Sequence, residues 1–105
     1  MSIPRIKIWL EGRALEAFYS IAHEFKECGK AANLGLTPNS NRGKNFKFND
    51  SDYLCVYTSI ERVMGSDRYP TKQGNEYEAL KEIRFIMKSE FENQRNISIE
   101  TALEQ

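Results

Sequence analysis

Apolar and polar residues alternate along residues 5–11, with Ile6, Ile8 and Leu10 on one side and Lys7, Trp9 and Glu11 on the other, which predicts a half-buried strand ended by Gly12. The period then changes. At 100° per residue, Ala14, Ala17, Phe18, Ile21, Ala22, Phe25 and Cys28 share one stripe and Glu16, His23, Glu27 and Lys30 fall opposite, so residues 13–32 read as an amphipathic helix. Residues 36–45 have the Pro, Gly, Asn and Ser density of a solvated loop. Residues 46–49 and 53–58 read as two strands of a hairpin, because Asn49, Asp50, Ser51 and Asp52 favour a turn and the second run is β-branched and aromatic. Alternation sends Leu54, Val56 and Thr58 to one face of that run, and Tyr53, Cys55 and Tyr57 to the other.

Residues 59–64 are expected to form a single helical turn and residues 65–74 a second loop. Asn75 followed three residues later by Glu78 predicts a capped helix running to about Gln94, with Ala79, Leu80, Ile83, Ile86, Met87 and Phe91 as its buried stripe and Phe85 on the far side. Ile97 and Ile99 alternate with polar neighbours and suggest a short edge strand, and residues 101–105 read as a loose tail. The order is βαββα with a short fourth strand: one α+β domain over residues 1–100. It would form a small antiparallel sheet with two helices packed on one face, the layering of ferredoxin-like domains.

A chain of 105 residues supports one core, and its 40% hydrophobic and 29% charged content is ordinary for a globular protein. No apolar run approaches the roughly 20 residues that span a bilayer, and the first residues lack the apolar centre of a secretion signal, so a cytoplasmic location is expected. In that compartment Cys28 and Cys55 are expected as thiols. With His23 they are too few and too divergent to hold a metal, no glycine loop suits a phosphate, and no cofactor is implied. His23 lies on a polar helix face and Cys55 has no motif around it, so the sequence supports no enzymatic chemistry.

The outer sheet face carries the functional signal. Lys7, Trp9, Lys47, Tyr53 and Tyr57 are expected to project from it together, and Phe85 is expected to offer a second contact edge. Aromatics with flanking lysines suit a single-stranded nucleic acid, but Asp50 and Asp52 beside the face would repel phosphate, and 15 basic residues cancel 15 acidic ones. Those charges favour a protein partner, since Trp and Tyr dominate such interfaces, with self-association in a homodimer as another way to cover the face. Residues 1–50 carry eight basic and five acidic groups and residues 51–105 seven and ten, so charge is mildly divided. The expected function is a small non-enzymatic binding module acting as an inhibitor or adaptor. Its Asn-, Lys- and Glu-rich composition suits an accessory protein of a phage or mobile element.

Overall fold

The computed structural model describes residues 3–29 and 43–105. The expected continuation of the first helix through residues 30–32, and most of the expected loop over residues 36–45, lie outside them.

Strand β1 (Ile6–Leu10) pairs antiparallel with β2 (Lys44–Phe48), setting Ile6 opposite Phe48, Ile8 opposite Phe46 and Leu10 opposite Lys44. Ile6, Ile8, Leu10, Phe46 and Phe48 are buried against the helices, which makes the fold α+β with helices packed on a small antiparallel sheet. Gly12, at φ 58°, turns the chain from β1 into helix α1 (Gly12–Ser20) with no intervening loop, a conformation that side-chain-bearing residues rarely adopt. Helix α1 is shorter than its apolar stripe. The Ser20 hydroxyl bonds back to the Ala17 carbonyl at 2.8 Å, competing with the helical ladder, and the chain tightens into a 3-10 turn over Ala22–Phe25. Ile21, Phe25 and Cys28 nevertheless stay on the buried side.

The expected strand over residues 53–58 is instead the middle of helix α2 (Asp50–Met64). Its polar prelude is a helix cap and not a hairpin turn: the Asn49 side chain accepts the Asp52 N–H at 2.7 Å, and Asp50 and Asp52 place negative charge at the helix start. The buried residues Tyr53, Val56, Tyr57, Ile60 and Val63 recur at helical spacing and form one stripe. Tyr53 donates its hydroxyl to the Met87 carbonyl at 2.6 Å, and burial raises its phenol well above the ordinary range.

Helix α3 (Asn75–Arg95) contacts α1, α2 and β1, burying Ala79, Leu80, Ile83, Met87 and Phe91. Ile86, counted in the expected stripe, is only partly buried. The cap position falls on Gly74, so the expected Asn75 cap is displaced by one residue. Asn96 closes the helix in the left-handed region, and the segment expected as an edge strand leads into a short helix α4 (Ile99–Leu103) capped by Ser98. Lys88 ties α4 to α3 by contacting Glu92 and Glu100, each at 2.8 Å. Arg95, largely buried, grips the Asp50 carboxylate and the Pro4 carbonyl, joining the end of α3 to the starts of α2 and β1.

Cys28 and Cys55 are joined as a disulfide, with their Cα atoms 5.5 Å apart, where thiols were expected. The cause is the helical course of α2, which turns Cys55 towards the end of the 3-10 turn. A link across 27 residues restricts the unfolded chain, worth about 3 kcal/mol in the loop-entropy description.

Two stability outcomes follow from this packing. Phe25 is fully buried and packs on Phe18 with ring centroids 5.1 Å apart, so Phe25→Ala should lower the unfolding free energy by about 3 to 5 kcal/mol in denaturant titration. The Tyr69 phenol is pushed up to about 12, first by burial and then by its 2.7 Å hydrogen bond to Glu76. A raised folded-state value means that the folded chain holds the proton longer than the unfolded one. This contribution is therefore complete below about pH 10, the ordinary tyrosine value, and is lost as pH rises towards 12. Alkaline unfolding with absorbance at 295 nm should show stability falling in that window, and Tyr69→Phe should lessen the fall, leaving the part due to the raised phenols of Tyr53 and Tyr57.

Candidate partner-binding face

The strand alternation that buries Ile6 and Ile8 turns Lys7, Trp9, Asn45 and Lys47 outward, and all four are exposed. Lys7 stands directly opposite Lys47 and Trp9 opposite Asn45. The Gln94 side chain receives the Lys7 N–H at 3.1 Å and donates to the Lys7 carbonyl at 2.9 Å. Lys7 therefore turns its backbone groups away from β2, and Lys7–Lys47 is a non-hydrogen-bonded pair, the kind whose Cα atoms approach to about 4.5 Å. Like charges so placed repel, and Arg5, exposed two residues before Lys7, adds a third cation. Among the described residues none of the three is ion-paired.

Trp9 is 49% exposed and is held in place from two sides. Its indole N–H donates to Glu11 at 3.0 Å, and its ring lies so close over Gly43 that a Cβ there would collide with it. Arg5, Asn45 and Gly43 were absent from the expected site. The period-two pattern carries Arg5 and Asn45 to this face once the β1–β2 register is known, whereas nothing in the sequence signals the Gly43 contact.

Tyr53 and Tyr57, expected on this face, do not lie there. They belong to α2 and are 0% and 1% exposed. Tyr53 packs edge-on against Phe48 at 5.6 Å and near Phe91 at 5.8 Å. Tyr57 lies beneath the Arg84 guanidinium, 5.7 Å from its ring centre, while Arg84 bonds Glu61 at 2.9 Å. Phe85 is 69% exposed on α3, nine residues before Gln94. By helix geometry it points about 180° away from Gln94 and lies about 14 Å along the axis, so it is not part of the outer sheet face. The two aspartates expected to repel an anion are otherwise engaged, Asp50 by Arg95 and Asp52 at the cap of α2.

Two shallow clefts lie among the described residues. One, about 260 Å³, lies between α1 and the start of α3, where Ser20 bonds Glu76. The other, about 220 Å³, lies at the end of α2, where Lys72 bonds the Met64 and Ser66 carbonyls and Arg84 bonds Glu61. Ser20 and Glu76 in the first, and Lys72, Glu61 and Arg84 in the second, are thus committed to intramolecular partners. Among the described residues no helix is long and apolar enough to cross a membrane. Compared with protein-family models, curated proteins and solved structures, the chain shows no significant match to any of them.

The Gly43–Trp9 contact gives a direct check on this geometry. Gly43→Ala should lift the indole from the backbone, increasing its quenching by acrylamide while leaving the helical circular dichroism unchanged. An unaltered Trp9 emission and quenching constant would show that the ring does not lie there.

Proposed function

We propose that this chain is a non-enzymatic binding module that presents the outer face of its β1–β2 sheet to an acidic surface on a partner protein, as an inhibitor or adaptor. The observation that supports it is the grouping of three cations that have no acid partner among the described residues, Arg5, Lys7 and Lys47, around the exposed Trp9. Two lysines held opposite one another lose their mutual repulsion when a carboxylate settles between them, and the indole supplies apolar area of the kind that concentrates interface energy. The face is built on paired strands and anchored by Gln94, so little ordering accompanies binding. A second reading, a single-stranded nucleic acid, is favoured by the same cations with Trp9 as a stacking surface. Removal of Tyr53 and Tyr57 from the face leaves one aromatic where a run of bases would use several.

Affinity capture from an extract of the native host, with and without nuclease, separates the two. The protein reading expects a retained partner that resists nuclease and is lost from the double variant Lys7→Glu, Lys47→Glu, with affinity reduced roughly tenfold or more and an unchanged melting temperature. Nuclease-sensitive capture, with oligonucleotide affinity falling steeply as salt rises, would establish the nucleic-acid reading instead. Partner binding indifferent to both charge reversals would rule out the face.

A further inference from the structure

Resting on that reading of the outer sheet face, we infer that the partner contributes an extended acidic segment which adds as a third strand to the outer edge of β2. The Lys7–Lys47 and Trp9–Asn45 pairs have the same parity, so the backbone N–H and C=O groups of both Asn45 and Lys47 point away from β1. Among the described residues neither one's backbone groups find a partner on that side, and both residues are exposed. Four backbone groups in a row, alternately donating and accepting, match the ladder of one incoming strand. The opposite edge of the sheet is closed at its centre, because Gln94 already fills the hydrogen-bonding positions of Lys7.

Charge selects the occupant. A strand laid along β2 sets its outward side chains beside Lys47 and, one strand further, Lys7 and Arg5, so acidic residues at alternate positions are drawn in and basic ones repelled. A second copy of this chain pairing β2 with β2 would gather three cations from each copy, six in all, on one sheet face. That repulsion disfavours self-pairing, in the way an edge lysine commonly keeps sheets from joining. A nucleic acid offers no alternating amide ladder to these groups.

The test begins with a random decapeptide library selected against the full chain. The expected peptides alternate Asp or Glu with β-branched residues, and the tightest one serves as the probe. Asn45→Pro removes an N–H that faces away from β1, so the β1–β2 ladder and every charge are retained while strand addition is blocked. The probe should lose at least about tenfold in affinity for this variant, and N-methylation of the probe at alternate amides should abolish binding. In the wild-type chain, hydrogen exchange at the Asn45 and Lys47 amides should slow on binding, a readout that stands even where the proline variant fails to fold. Undiminished binding to Asn45→Pro with unchanged exchange at both amides overturns strand addition. If the probe is still lost from Lys7→Glu, Lys47→Glu, the charged face survives that result. Selection of no acidic peptide, or a dimer of the free chain that Asn45→Pro dissociates, also overturns the inference.

Discussion

Two strands of five residues cannot hold together in water by themselves, and the rest of this molecule is arranged to cover their apolar face. Helix α3 meets that need, touching β1, α1 and α2 through a single stripe from Ala79 to Phe91. Phe48, Tyr53 and Phe91 carry the contact from the sheet through α2 to α3, and the Tyr53 hydroxyl finishes on a carbonyl of α3 instead of losing its partner inside the core. The Arg95–Asp50 pair lies where three element ends converge, fixing the entry to β1 and α2 against the end of α3.

The parts legible in the sequence were those with a clean period. Alternation at Ile6, Ile8 and Leu10 and the 3.6-residue stripe of α3 survive in the structure, as does the buried stripe beginning at Ala14. The α2 segment misled because a short β-branched and aromatic run is weak information. Read over fifteen residues, the apolar positions at 53, 56, 57, 60 and 63 are helical, and Asn49 with Asp52 three residues later is a cap pattern that imitates a turn. The Cys28–Cys55 link was hidden differently, since the expected compartment gave both cysteines as thiols.

At the candidate face, the outward side of Lys7 and Trp9 was legible from alternation, whereas the side of Lys47 follows only once the β1–β2 register is known. Tyr53 and Tyr57 were not legible, because their placement depended on the element type of the whole segment. The seat of Trp9 on Gly43 depends on a contact between strands whose register local sequence does not set.

The Gln94 carboxamide has a further consequence for assembly. It stands in for a strand at the middle of β1, so among the described residues the β1 side of the ribbon is blocked at Lys7 and the β2 side is not. A protein with two open edges can propagate by copying itself into a fibril, each added unit presenting a new edge. A unit with one open edge is monovalent: once that side is occupied, growth stops. One glutamine thus turns a potentially polymerising element into a chain terminator.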